Sequence, residues 1–327
     1  MVIARELTRA LRDAGHDAHL IVTPQNRFGH QASAYLATWL TDVTSSEGRA
    51  IDQVISLRYP SYAVRHRRHV CWLNHTMREY YDLWDTFSAT LSVKGRLKER
   101  VRKMFIHAAD RYLLTHLSRL FVQSKTVQQR MATWQAVNST VLYPPAPQRD
   151  YRCEGYGPEF LFVSRLTRLK RADLLVRALA TPAAHAIRLV IAGEGEEREP
   201  LERLATNLGV IGRITFSGRL TDDQLIGELA ACRAVCFPPF QEDYGFVTVE
   251  AFASRKAVIT CRDSGGPAEL VKDGVNGFVC EPAPEALGRA MRRLADDAKL
   301  AERMGTAAFE AGARLTWPET VRQLVLQ

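Results

Sequence analysis

Between residues 160 and 261, five short apolar runs alternate with amphipathic segments, and this alternation limits the fold more than any other feature of the chain. The runs are FLFVSRL (160–166), IRLVIAG (187–193), ITFSG (214–218), AVCFPP (234–239) and AVITC (257–261). Each is rich in Val, Ile and Phe and apolar on both faces, as expected of a strand covered from two sides. The segments between them, ADLLVRALA, PLERLATNLG, TDDQLIGELAAC and GFVTVEAFAS, have helical amphipathicity. Strand and helix alternating at this spacing make βαβ units, so the sequence predicts a doubly wound parallel sheet over residues 158–314. Such sheets receive ligands beyond the carboxyl ends of their strands.

The first half is less regularly punctuated. Residues 6–24 read as a helix, a stop at Gly15 and a strand at 18–22, followed by strand candidates at 51–57 and 70–74 and long helical stretches over 98–134. This predicts a second α/β domain over residues 1–147. Residues 143–159 hold four prolines and two glycines, which disfavour both helix and ladder, and predict a linker centred on 148–157. The closing segment, 315–327, reads as a short amphipathic helix that crosses back to the first domain. A chain of 327 residues is long enough for two such cores.

Composition excludes several classes. Hydrophobic residues at 46% and charged residues at 24% describe a globular chain, and no window of 18 apolar residues exists to span a bilayer. Arg5, Glu6, Arg9 and Arg12 stand where a signal peptide needs an apolar block, which predicts a cytoplasmic protein. Six scattered cysteines, none in C-x-x-C spacing, read as buried thiols rather than a metal site. Residues 1–150 carry 21 Lys+Arg against 12 Asp+Glu, whereas residues 151–327 carry 23 against 24, so the whole excess of +8 lies in the first half. Within it, KGRLKERVRK (94–103) with Leu97, Val101, Met104 and Phe105 at helical spacing reads either as a solvated helix face or as a peripheral contact with an anionic membrane or acidic acceptor through residues 94–105. No nucleic-acid motif accompanies the charge.

Three clusters follow the predicted strands of the second half. Arg165 and Lys170, with Arg168 and Arg171 beside them, suit an anion such as a diphosphate, or merely flank a surface loop. In PPFQEDYGFVTVEA, Glu242 falls in a loop and Glu250 one turn inside the next helix, whose amides near residues 244–247 make a positive end. Two carboxylates beside a helix start suit sugar hydroxyls and a ribose diol. In SGGPAELV, Gly265 and Gly266 open a helix in a shape that lets backbone amides approach a phosphate or sugar.

Taken in order, S-R-L-x-x-x-K-R, A-G-E-G, F-S-G-R-L, E-D-Y-G-F-V-T-V-E-A and S-G-G-P-A-E-L-V-x-D-G-x-x-G-F-V resemble the donor half of the retaining family-4 glycosyltransferases, which have the GT-B architecture of two facing Rossmann-like domains with a cleft between them. YPSYAVRHRRHVCWLNH, REYYDLWD and VQSKTVQ with VLYPP are similar to the acceptor domain of mannosyltransferase-like members. The resemblance implies a nucleoside-diphosphate hexose donor, GDP-mannose first, and a glycan or lipid-linked acceptor in polysaccharide biosynthesis. It implies that Arg165 and Lys170 hold the diphosphate, Glu242 meets the hydroxyls of the transferred sugar and Glu250 the ribose. Gly245, Phe246 and Val247 would offer amides to sugar and phosphate, Gly193, Gly195, Gly218 and Arg219 would line the nucleotide pocket, and His75 would face the sugar from the acceptor side. Front-face attack assisted by the donor phosphate needs no enzyme nucleophile, and no metal or other cofactor is implied; the chain has no Asp-x-Asp.

Two departures qualify the resemblance. Family members begin with a strand and a glycine-rich loop before the helix that residues 1–14 resemble, so the sequence predicts a weakened or rearranged first domain. Arg255 and Ala257 stand where Gly and Pro are common, and a left-handed Arg255 would cost about 1 kcal/mol. These departures keep a second reading open, a shortened, non-catalytic binder of sugar nucleotides. Another GT-B chemistry such as epimerisation fits the Glu242 to Glu250 context less well.

Overall fold

The computed structural model describes residues 2–23, 30–46 and 48–326. The chain divides into two compact units: unit 1 is Met1–Pro144 with Trp317–Gln327, and unit 2 is Pro145–Thr316.

Unit 1 runs α1 (Val2–Asp13), α2 (Gln31–Trp39), a two-residue antiparallel pair β1 (Ser45–Ser46) and β2 (Arg49–Ala50), β3 (Val54–Ser56), β4 (His69–Leu73), α3 (Trp84–Ala89), α4 (Val93–Thr115), β5 (Arg119–Val122), α5 (Lys125–Gln135) and β6 (Thr140–Val141). Among the described residues its main sheet has four strands, all parallel, in the order β3-β4-β5-β6. The expected strand at 18–22 is coil, with Leu20, Ile21 and Val22 exposed. A strand exists only where a neighbour takes its backbone groups, and β3 pairs on the described residues with β4 alone. The long helical stretches expected over 98–134 are α4 and α5, with the unexpected strand β5 between them, because Leu120, Phe121 and Val122 are buried between β4 and β6. A new helix then starts where the Ser124 hydroxyl accepts from the Val127 amide at 3.1 Å.

Unit 2 runs β7 (Glu159–Val163), α6 (Ala172–Leu179), β8 (Arg188–Ala192), α7 (Arg198–Asn207), β9 (Ile214–Gly218), α8 (Asp222–Ala231), β10 (Val235–Cys236), α9 (Phe246–Ala253), β11 (Val258–Cys261), α10 (Gly266–Leu270), β12 (Gly277–Cys280), α11 (Pro284–Asp296) and α12 (Ala298–Gly312). Its sheet is parallel, in the order β12-β11-β10-β7-β8-β9. The sixth strand, β12, is not among the five apolar runs; it lies so close to β11 that a Cβ on Gly277 would stand 2.0 Å from the Val258 carbonyl oxygen. The stretch 148–157 is coil and belongs to unit 2, with the Glu154 and Gly157 amides donating to the Ala230 and Ala231 carbonyls at 2.9 and 2.8 Å. The final helix, α13 (Trp317–Leu324), belongs to unit 1, where Trp317 meets Trp72 edge to face and the Gln53 amide donates to the Leu324 carbonyl at 2.7 Å.

The strand order of unit 2 places its candidate residues. From β7 the chain winds one way through β8 and β9, then returns to the other side of β7 for β10, β11 and β12. The loops leaving β7 and β10 therefore diverge at a topological switch point, where an open α/β sheet leaves a crevice.

Candidate functional site

At this switch point Lys170, from the loop after β7, and Glu242, from the loop after β10, form an ion pair between Nζ and Oε2. Their side chains are 13% and 19% exposed, shielded enough for the pair to matter and open enough for a ligand to compete for it. Arg171 fixes the geometry. It sits in the left-handed region at φ +50°, and its guanidinium donates to the Pro238 and Pro239 carbonyls at 2.8 and 2.6 Å and to both Asp263 oxygens at 2.8 and 2.7 Å. Arg171 is thus a clamp between the loops of β7, β10 and β11 rather than one of the free cations suggested by its position in the sequence. The Asp263 partnership leaves no local sequence signal.

The two glycines at 265 and 266 also have a structural task. A Cβ on Gly265 would stand 2.4 Å from the Glu242 carbonyl oxygen, and one on Gly266 would stand 2.6 Å from the Tyr244 Cα. The Gly266 amide donates to the Glu242 carbonyl at 2.9 Å, and the Glu242 amide to the Ser264 carbonyl at 2.9 Å. The Gly266 amide is therefore engaged with the Glu242 loop, and the pair of glycines lets that loop pass close beside α10.

Gly245, at φ +78°, caps α9, whose first residues are Phe246 and Val247. Glu250 lies one turn further on with its side chain 8% exposed. It accepts through Oε1 from Arg149 at 2.6 Å and from the Tyr151 hydroxyl at 3.2 Å, while Arg149 also reaches Asp222 at 2.9 Å. Burial raises the Glu250 carboxyl above the usual carboxylate range, and the Arg149 charge opposes that rise. Arg149 and Tyr151 come from the proline-rich stretch that reads as a linker, and no local pattern marks them as partners of a helix a hundred residues away.

The other sequence-derived candidates fall in three places. Gly193 and Gly195 follow β8 so tightly against the loop after β7 that added Cβ atoms would stand 1.8 and 2.2 Å from the Ser164 and Leu166 carbonyl oxygens. The Gly193 amide donates to Gly218 at 2.6 Å, joining the ends of β8 and β9, with Arg219 exposed just beyond. Arg165 is exposed at the end of β7 and makes no ion pair among the described residues. His75 belongs to unit 1, following β4; its Nδ1 donates to the Thr76 carbonyl oxygen at 2.9 Å. Among the described residues no group of three His, Cys, Asp or Glu is placed to hold a metal ion, and all six cysteines are free.

Residues 151–311 match the family model described as Glycosyl transferases group 1. The D-inositol 3-phosphate glycosyltransferase of Streptomyces griseus is 33% identical over 170 residues, which are 48% of this chain and 36% of that protein. The chain thus spans about a third of the length of this curated relative. Among solved structures, sucrose-phosphate synthase from Thermosynechococcus elongatus superposes with a TM-score of 0.74 at 18% identity, covering 98% of this chain and 90% of that one. WaaG, a glycosyltransferase involved in lipopolysaccharide biosynthesis, superposes with a TM-score of 0.70 at 17% identity, covering 99% and 95%. The α/β units with their parallel sheets have the GT-B fold, and residues 151–311 are similar to the group 1 glycosyltransferases.

Proposed function

We propose that this chain transfers a hexosyl group, mannose first, from a nucleoside-diphosphate sugar to a hydroxyl of a glycan or lipid-linked acceptor, with retention at the anomeric carbon. The observation that carries this reading is the Lys170–Glu242 pair at the switch point of unit 2, with buried Glu250 one turn into the helix that follows. A diphosphate competes with Glu242 for Lys170 and recruits Arg165 from solvent. Glu242, released, accepts from the sugar hydroxyls. Glu250 offers Oε2 to the ribose diol while Oε1 stays with Arg149 and Tyr151. As the bond between the anomeric carbon and the phosphate oxygen breaks, its electron pair leaves on the diphosphate, where the two cations stabilise the developing charge. The acceptor oxygen bonds to the anomeric carbon on the same face, and its proton passes to the departing phosphate. On this reading His75 offers its Nε2 to a hydroxyl on the acceptor side.

Titration calorimetry with a panel of nucleoside-diphosphate hexoses, paired with product analysis, tests this. Replacing Arg165 and Lys170 together by Ala should weaken donor binding by about 3 kcal/mol or more, since each charge-assisted bond contributes about 1.5–3 kcal/mol. Glu242→Ala should lower the transfer rate by about a hundredfold or more with thermal unfolding unchanged. Full activity in Glu242→Ala would reject the assignment, and donor binding without turnover on any acceptor would leave a sugar-nucleotide binder in its place.

A further inference from the structure

Helix α4 has two faces of opposite character. Glu99, Ile106, Asp110 and Leu114 are buried and, at about 100° per residue, share one side. On the other side Val93, Leu97, Val101 and Met104 are 84%, 66%, 63% and 69% exposed, and Phe105 and Tyr112 extend the stripe. Apart from Phe105, an apolar stripe aimed away from the core contributes little to holding unit 1 together.

The charges are sorted as well. Both carboxylates of the helix point inward: Glu99 accepts from the Tyr80 hydroxyl at 2.8 Å and pairs with Arg102, and Asp110 accepts from Tyr81 at 2.7 Å. Lys94, Lys98, Arg100 and Arg111 are exposed and lie in or beside the stripe, while exposed Arg96 donates to the Ser88 carbonyl at 3.2 Å. Arg102 and Lys103, which the sequence places in the same basic run, are committed elsewhere. Arg102 is paired with Glu99, and Lys103 lies 4.6 and 5.6 Å from the ring centres of Trp84 and Trp134. Neighbouring α2, whose Tyr35 ring meets Phe105 edge to face at 6.0 Å, leaves Leu36, Trp39 and Leu40 exposed.

We propose that α4 seats unit 1 on an anionic bilayer surface, its apolar stripe in the boundary between headgroups and acyl chains and its cations against the lipid charges. The stripe from Val93 to Tyr112 is about 29 Å long at 1.5 Å per residue, a narrow line suited to lying in a membrane plane. No described helix is long and apolar enough to cross the bilayer. A two-fold contact between copies would set four exposed cations against four others with no carboxylate of the helix to answer them. The lipid surface supplies the missing negative charge and an apolar layer together.

Co-sedimentation of the full chain with vesicles tests this. Binding is expected to phosphatidylcholine mixed with phosphatidylglycerol, falling as salt is added, and to be weak on phosphatidylcholine alone. The triple variant Lys94→Gln, Lys98→Gln, Arg100→Gln should lose about a hundredfold in partitioning, at about 1 kcal/mol per cation. The variant Leu97→Ser, Met104→Ser keeps every cation and should lose about tenfold or more. All five positions are exposed, so circular dichroism and thermal unfolding should match the unmodified chain. Equal binding to both lipid mixtures, absence of binding to either, or insensitivity to both variants would overturn the proposal. A dimer in solution that Leu97→Ser, Met104→Ser makes monomeric would assign the stripe to a second copy and overturn it too.

Discussion

Units 1 and 2 share one building plan, a parallel sheet with helices, and stabilise it in different ways. The core of unit 2 is almost wholly apolar: Phe160, Leu161, Phe162, Val235 and Ile259 are fully buried, and fully buried Lys256, which donates to the Gly155 carbonyl, stands ahead of β11 at the end of the sheet away from the candidate site. The core of unit 1 is organised by hydroxyl groups. Tyr35, Tyr62 and Tyr81 all donate to buried Asp110, and the Tyr80 hydroxyl lies between Gln31 and Glu99. Apolar burial is non-directional and tolerates exchange of similar side chains. A carboxylate shared by three tyrosines depends on every partner being present. Unit 2 therefore keeps its sheet on generic grounds and leaves its loops to chemistry, whereas unit 1 depends on a few specific contacts.

The five tryptophans, at 39, 72, 84, 134 and 317, all lie in unit 1, so fluorescence follows unit 1 while far-ultraviolet circular dichroism follows both. The largest expected effect is in unit 2. Gly193→Ala sets a methyl group 1.8 Å from a backbone oxygen at φ +140° and should cost on the order of 4 kcal/mol in urea unfolding followed by circular dichroism, with the fluorescence transition unmoved. A coincident shift in both signals would erase the distinction between the units. Next, Asp110→Ala should cost about 3 kcal/mol and move the fluorescence transition, because three buried hydroxyls lose their acceptor; an unchanged midpoint would reduce the tyrosine cluster to ordinary packing.

A smaller effect concerns pH. Burial pushes the Asp110 carboxyl up to about 6, with the tyrosine hydroxyls pulling against it, and in the unfolded chain it titrates near 4. Between those values the folded state holds the extra proton. The contribution is thus fully present below about pH 4 and lost as pH rises through about 6, and Asp110→Asn should flatten that slope in fluorescence-detected unfolding. A slope of the same size in the variant would assign it to other groups. The smallest effect belongs to Arg255, whose φ of +55° bears out the expected left-handed cap. Arg255→Gly relieves about 1 kcal/mol of strain and removes a guanidinium 4.1 Å from the Phe309 ring centre, so calorimetry should show a net change within about 0.5 kcal/mol.

Much of unit 2 was legible because its strands are covered on both faces: all five apolar runs are strands, and the segments between them are helices. Unit 1 was read less well. LIV at 20–22 has strand composition and no ladder to join, and LFV at 120–122 is a strand concealed between two strong helical patterns. Among the site residues, Lys170 and Glu242 could be singled out from loop position and residue type. The Arg149 and Tyr151 contacts to Glu250 could not, because a coil rich in proline carries no periodicity to reveal what it touches.

By itself the chain's order of residues determined the succession of strands and helices over residues 160–261, the parallel class of the second sheet and the positive balance of the first half, all of which follow from local backbone period and composition. Only the tertiary structure decided that Lys170 meets Glu242 across 72 residues, that Arg171 clamps three loops, and that the apolar stripe of α4 faces outward with both carboxylates turned in. Those outcomes depend on which strands become neighbours and which helix face the sheet covers, and such pairings are settled by burial summed over the whole unit rather than by any one segment.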